Sequence, residues 1–312
     1  MKSFILSGSS SRHLAENIGI KNNLPVLENR VVRFINAEMK VTLPDQVKDY
    51  DKCYIVQTAS NPANDNLFEL LFTADTLKRE GVKEIGAIIP YFGYSRQDKQ
   101  HLPFECVSSE VVVKLLEKVG VQKVYTVDIH NEKTMYSLDI PVTKLSSMPV
   151  LAKKVYDDLV LDETKEKDFT IASPDQGGII RAELFAKNFY KNSNNIEFVS
   201  IKKERELDKQ HLSQAIEMRG EIKDKNVIIV DDVSTSGSTL LNAMKLCMAN
   251  NKVRNIYAVI VHPDFGFGVL ERIRNSEIEK IYVSNTIEKT LESLSYYKKV
   301  KIFDISEVFL KI

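Results

Sequence analysis

The stretch Val227-Ile228-Ile229-Val230-Asp231-Asp232-Val233-Ser234-Thr235-Ser236-Gly237-Ser238-Thr239-Leu240 runs from an apolar strand, through two carboxylates, to a loop of small hydroxyl residues around one glycine. A helical pattern follows. An unbroken β-branched run predicts a buried strand of the kind found in parallel sheets. The loop presents backbone N–H groups and hydroxyls at a helix N-terminus, where a phosphate is readily held. The two acids suit the hydroxyls of a sugar or a hydrated Mg²⁺. Taken alone, the same residues also fit a capped helix start with two solvated acids.

The same grammar recurs on either side. Apolar, β-branched runs stand at Phe4–Leu6, Tyr54–Val56, Ile85–Ile89 and Val124–Val127, and again at Phe169–Ala172, Glu197–Ile201, Ile256–Val261 and Lys280–Val283. Helical stretches lie between them. Asn66–Arg79 repeats Leu67, Leu70, Leu71, Ala74 and Leu77 at a 3.6-residue period. Ser108-Ser109 reads as the cap of Glu110–Val119, which stops at Gly120. Gly178–Tyr190 and Gly237–Asn250 complete the set. Strand and helix in alternation predict βαβ units and mainly parallel sheets. The pattern runs twice, with a break near Ser146-Ser147-Met148-Pro149. Two α/β domains are therefore expected, residues 1–147 and 148–300, with the tail 301–312 folding back on the first. Ligands of such sheets bind beyond the carboxyl ends of the strands, so the polar residues after each run are the candidates for chemistry.

The composition narrows the function. The chain has 312 residues with 43 Lys plus Arg against 43 Asp plus Glu, a net charge of zero, which argues against nucleic-acid binding by bulk charge. Cys53, Cys106 and Cys247 lie far apart and form no CxxC pair, so no disulfide framework is expected and a reducing cytoplasm fits. The N-terminus has too short an apolar run for a secretory signal, and no run approaches the ~20 residues of a membrane span.

Five collinear segments then narrow the reading further. The quoted stretch resembles the loop that binds 5-phosphoribosyl 1-diphosphate (PRPP) in type I phosphoribosyltransferases and in ribose-phosphate pyrophosphokinases. Tyr91-Phe92-Gly93-Tyr94-Ser95-Arg96-Gln97-Asp98 resembles the YFGYARQD signature of the pyrophosphokinases. Pro62 to Leu70, Thr126-Val127-Asp128-Ile129-His130 and Ser173-Pro174-Asp175-Gln176-Gly177-Gly178 are similar to further segments of that family, in its order and spacing. The resemblance covers essentially the whole chain. It implies two tandem type I phosphoribosyltransferase-like α/β domains. The implied reaction is transfer of the β,γ-diphosphoryl group of ATP to ribose 5-phosphate, with Mg²⁺ and in a homo-oligomer built from dimers.

The resemblance also implies roles. Arg96 and Gln97 follow a strand and can reach a triphosphate; Arg offers a planar fork and Gln a neutral donor and acceptor. Phe34, Asn36 and Glu38 stand where the family has an FxDGE segment that contacts adenine from a neighbouring subunit, with Asn36 for Asp and Ala37 for Gly. His130 and Asp175 go to the metal–nucleotide region. Asp231 goes to the ribose hydroxyls with Asp232 in support, and Thr235, Ser236, Gly237, Ser238 and Thr239 go to the 5-phosphate. The polar run from Lys202 to Gly220 has the length of a lid. In the family a Lys-x-Arg pair on this loop stabilises the transferring group; Lys203 and Arg205 match, with Lys202 a rival for the lysine. No residue is an obvious strong general base, which suits electrostatic catalysis. The alternatives are a non-catalytic regulatory relative of the same family and a phosphoribosyltransferase, which would leave the first half of the chain unexplained.

Overall fold

The structure is a computed structural model that describes residues 1–100, 102–131, 139–160, 163–191, 198–205, 214–219, 222, 225–249, 253–288, 294, 297–310 and 312. Two compact units divide the chain. The first is Met1–Ser146 with short returns at Thr286–Lys289 and Ser306–Ile312; the second holds the remainder.

The first unit runs β1 (Ser3–Ser7), α1 (Arg12–Asn22), β2 (Val26–Glu28), β3 (Arg30–Arg33), β4 (Met39–Thr42), β5 (Lys52–Val56), α2 (Ala63–Arg79), β6 (Glu84–Ile89), α3 (Ser108–Lys118), β7 (Lys123–Val127) and β8 (Val142–Leu145). Six strands form one parallel sheet in the order β2-β1-β5-β6-β7-β8, and β3 and β4 form a separate antiparallel hairpin. One sheet face packs on α2 and α3, where Leu70, Ala74, Leu77 and Val113 meet Ile55, Ala87 and Val124. The returning segment adds Glu288, whose carboxylate accepts a hydrogen bond from the Leu14 amide at 2.7 Å. It thereby satisfies an N–H in the first turn of α1 that has no partner within the helix.

The second unit runs α4 (Met148–Leu159), β9 (Phe169–Ser173), α5 (Ile179–Phe189), β10 (Phe198–Arg205), β11 (Gln214–Arg219), β12 (Lys225–Val233), α6 (Ser238–Ala249), β13 (Val253–His262), α7 (Val269–Arg274), β14 (Ile278–Ser284) and β15 (Val300–Phe303). Its sheet has the order β11-β10-β9-β12-β13-β14-β15 and is parallel except at β10–β11. β12 lies mid-sheet, and Val227–Val230 are fully buried. The expectation of an α/β fold with two mainly parallel sheets therefore holds.

Several elements differ from the sequence reading. Helices α1 and α4 were not anticipated; in α1 the apolar period of Leu14, Ala15 and Ile18 is diluted by polar residues, and α4 begins inside the stretch read as a break. Ser108 and Ser109 lie within the first turn of α3 instead of capping it, and both hydroxyls bond to Gln97. The polar run read as a lid is in part a hairpin: β10 continues to Arg205 and pairs antiparallel with β11, Lys203 opposite Ile216 and Arg205 opposite Gln214. Residues 206–213 and 220 of that run lie outside the described residues.

An acidic residue fastens α4 to the strands at one edge of the second sheet. Asp158 accepts hydrogen bonds from Lys280 (2.9 Å) and Tyr282 (2.7 Å) on β14 and from Lys301 on β15. Burial works to raise its pKa, but the Lys301, Tyr282 and Lys280 donors together outweigh it and hold the value down at about 2. A depressed folded value stabilises above the ordinary Asp range near 3.9, and that stability is lost as pH falls towards 2. Asp158→Asn is expected to cost about 2 kcal/mol at pH 7 and almost nothing at pH 2. Urea unfolding at the two pH values measures it; an equal loss at both would contradict the assignment.

Candidate active site

In the second unit the quoted stretch sits at the carboxyl end of its sheet. Asp231 and Asp232 close β12 and are 6% and 2% exposed. Asp231 Oδ1 accepts the Asp232 amide at 2.9 Å, and Asp232 Oδ2 pairs with the Arg181 guanidinium at 3.1 Å. Arg181, one turn into α5, is thus no surface residue: its side chain is 15% exposed. Burial pushes the Asp231 carboxyl well above its usual range; the charges of Asp232 and Asp175 add to this, and Arg181 works against it. Asp175 follows β9, where its Oδ1 accepts the Gly178 amide at 2.9 Å at the start of α5. Three carboxylates and one guanidinium therefore share one end of the unit.

The hydroxyl loop follows. Thr235, Ser236 and Ser238 are exposed, Thr239 is half-buried, and Gly237 has φ +70. A Cβ at Gly237 would also lie 2.9 Å from Val269 Cγ1, so both backbone and packing favour glycine. The Ser236 hydroxyl accepts the Ser238 amide at 3.3 Å in the first turn of α6. Exposed hydroxyls and a helix start in one loop are groups of the kind that can hold an anion.

In the first unit, Arg96 and Gln97 are exposed on the turn after β6. Gly93 lets that turn press on the end of β5: a Cβ there would lie 2.3 Å from the Ala59 carbonyl oxygen. Tyr94, at φ +66, donates its hydroxyl to Asn64. Gln97 Oε1 accepts the Ser108 hydroxyl at 2.6 Å, which fixes its carboxamide. Asp98 pairs with Asn131, next to the exposed His130, so the loops after β6 and β7 are joined. Asp128, at φ +39, accepts the Ser146 hydroxyl at 2.8 Å. Phe34, Asn36 and Glu38 lie apart from these loops in sequence, on the β3–β4 turn, where Phe34 is 50% exposed. The Glu38 amide donates to Asn36 Oδ1 at 3.3 Å. Ala37 adopts φ +67, a conformation that costs an L-residue about 1–2 kcal/mol and glycine little.

Each unit thus gathers its own residues. Arg96, Gln97 and His130 lie on joined loops of the first, and Asp175, Asp231, Asp232 and Thr235–Thr239 at one end of the second. Lys203 and Arg205 are placed by backbone register alone. The links that sequence reasoning missed, Arg181–Asp232 and Asp98–Asn131, join residues 51 and 33 positions apart. Only a motif reading of the neighbouring segments hinted that these positions converge.

Among the described residues no group of three or more His, Cys, Asp or Glu forms a metal cage. Mg²⁺ does not need one, because it keeps waters and binds through one or two carboxylates and substrate phosphates. Asp175 and Asp231 fit it: burial and the Asp232 charge chiefly raise the Asp231 carboxyl, the Asp175 charge adds to them, and a hard cation would relieve this crowding of negative charge. Asp231→Asn is accordingly expected to stabilise the ligand-free protein. A folded value raised above about 3.9 contributes stability that is complete below about 3.9 and lost as pH rises through the folded value. The variant should therefore melt a few degrees above wild type at pH 8, with the difference vanishing towards pH 4. Identical melting at pH 8 would contradict this.

Comparison with known proteins gives a consistent result. The pattern for the N-terminal domain of ribose phosphate pyrophosphokinase matches residues 3–120, and the phosphoribosyl transferase domain pattern matches residues 150–293. The chain is 35% identical to a ribose-phosphate pyrophosphokinase of Thermosipho africanus over 91% of its own length and 85% of the relative's. It is 31% identical to one of Fusobacterium nucleatum over 98% and 92%. The crystal structure of phosphoribosylpyrophosphate synthetase from Mycobacterium smegmatis, 23% identical, superposes with a TM-score of 0.86 over 99% of this chain and 97% of that one, which shows the shared fold.

Proposed function

The chain belongs to the ribose-phosphate pyrophosphokinase family, and from that premise we propose that it converts ATP and ribose 5-phosphate to PRPP and AMP. The ribose 1-hydroxyl oxygen bonds to the β-phosphorus, the bond from that phosphorus to the α,β-bridging oxygen breaks, AMP leaves, and the hydroxyl proton passes to solvent. Such transfer depends on positioning and on charge neutralisation.

The observation that carries the reading is the β12–α6 junction, where a buried acid pair leads directly into an exposed hydroxyl loop at a helix start. Thr235, Ser236, Gly237, Ser238 and Thr239 hold the 5-phosphate, Asp231 takes the ribose hydroxyls, and Asp232, held by Arg181, supports it. Arg96 and Gln97 orient the triphosphate, and Phe34, Asn36 and Glu38 receive adenine from a neighbouring subunit, so the smallest active species is a dimer. His130 and Asp175 serve the metal–nucleotide region, Asp175 as an oxygen ligand. Mg²⁺, when bound, neutralises charge on the phosphate oxygens. Lys203 and Arg205 meet the transferring group. The setting is the cytoplasm; among the described residues no helix is long and apolar enough to cross a membrane.

A second reading, a non-catalytic regulatory member of the family, draws on one observation: the adenine-facing turn carries Ala37 in a left-handed conformation. An assay of AMP release separates the readings. Release that needs both ATP and ribose 5-phosphate supports the kinase. No release by this chain alone, with altered activity of an active family member on mixing, supports the regulatory role. Consumption of PRPP with a free base would identify a phosphoribosyltransferase.

A further inference from the structure

The hydroxyl loop is braced from a second segment. The segment His262–Arg274, which ends β13 and forms α7, touches it at four consecutive residues. The Ser234 amide donates to the His262 carbonyl at 3.2 Å, and the Gly266 amide donates to the Thr235 carbonyl at 2.9 Å. The Arg272 guanidinium donates to the Ser236 carbonyl. Val269 Cγ1 lies where a side chain at Gly237 would point. The neighbouring cation Arg274 is engaged by Glu271 on α7 itself. Arg272 is the member of this clamp whose bond is charge-assisted, and such bonds are about twice as strong as neutral ones.

We propose that Arg272 is a positioning residue for the sugar-phosphate site: by holding the Ser236 carbonyl on the outer side of the loop, it keeps the loop amides and hydroxyls turned towards the phosphate. The inference rests on the proposed substrate, ribose 5-phosphate. A carbonyl left without this donor is free to rotate, and rotation of the 236–237 peptide would place an oxygen where the cradle needs an N–H. The guanidinium also keeps a positive charge beside a loop that receives a dianion, where it adds to the field of the α6 start. The consequence is selective. Binding of ribose 5-phosphate depends on Arg272, whereas binding of ATP does not.

The test uses the full chain with Mg²⁺, as wild type, Arg272→Ala and Arg272→Lys. Calorimetric titration with ribose 5-phosphate and steady-state kinetics for both substrates are measured together. Arg272→Ala is expected to weaken ribose 5-phosphate binding and raise its KM about tenfold, the worth of one charge-assisted hydrogen bond. The KM for ATP should stay unchanged. Arg272→Lys, which keeps a cationic donor without the fork, should recover part of the affinity. Because Arg272 is exposed, both variants should melt close to wild type. Wild type that binds ribose 5-phosphate, with an alanine variant that binds it equally, overturns the proposal alone. So does an equal rise in both KM values, or a parallel loss of melting temperature, which would mark a merely structural role. Wild type that binds ribose 5-phosphate without releasing AMP overturns the catalytic reading and leaves the binding comparison to decide on Arg272. Wild type that binds no ribose 5-phosphate overturns both.

Discussion

Lys203→Ala and Arg205→Ala are each expected to lower kcat by on the order of 10²–10³ with little change in ATP affinity. The reason lies in when the charge appears. In the proposed reaction the diphosphoryl group bears its greatest unshared charge as the bond to AMP breaks, so a cation that meets it only then would accelerate the chemical step without tightening the ground state. Both residues lie on β10, which continues past its parallel pairing with β9 and pairs antiparallel with β11 at the edge of the sheet. Lys202→Ala is the comparison, because Lys202 is the rival for the lysine role. Single-turnover rates and equilibrium ATP binding decide the matter. Equal losses of affinity and rate, or a larger effect at Lys202, would contradict the assignment.

Arg181→Met should destabilise the protein by about 3 kcal/mol, the range seen when one partner of a buried ion pair is removed. Asp232 would then be left 2% exposed without its 3.1 Å counter-ion. The double variant Arg181→Met/Asp232→Asn should recover most of the loss, because the buried negative charge is gone. Loss of Arg181 also removes a group that opposes the upward push on Asp231, so ribose 5-phosphate affinity should weaken further as pH falls. Urea unfolding of the wild type, the single variants and the double variant measures the coupling. Additive single effects would show that the pair does not act as a unit.

Local chemistry made much of this protein legible in its sequence. The unbroken β-branched run at Val227–Val230 read as a buried strand, the 3.6-residue period of Leu67 to Leu77 marked α2, and Gly237 at φ +70 sits where the loop turns into α6. These features depend on residues a few positions apart, and side-chain period and turn preference report them directly. The hydroxyl loop and the acid pair were visible for the same reason, since they stand in one contiguous turn. Tertiary structure alone decided the rest. That Arg181 faces Asp232, that Asp98 meets Asn131, that Asp158 is ringed by Lys280, Tyr282 and Lys301, and that Arg272 reaches Ser236 are pairings across 33 to 143 positions. No local preference encodes them, because a charged side chain looks the same in sequence whether it meets water or a buried partner. The pairing of β10 with β11 was hidden in a similar way: its residues are polar enough to read as loop, and strand pairing with a distant segment overrides that preference.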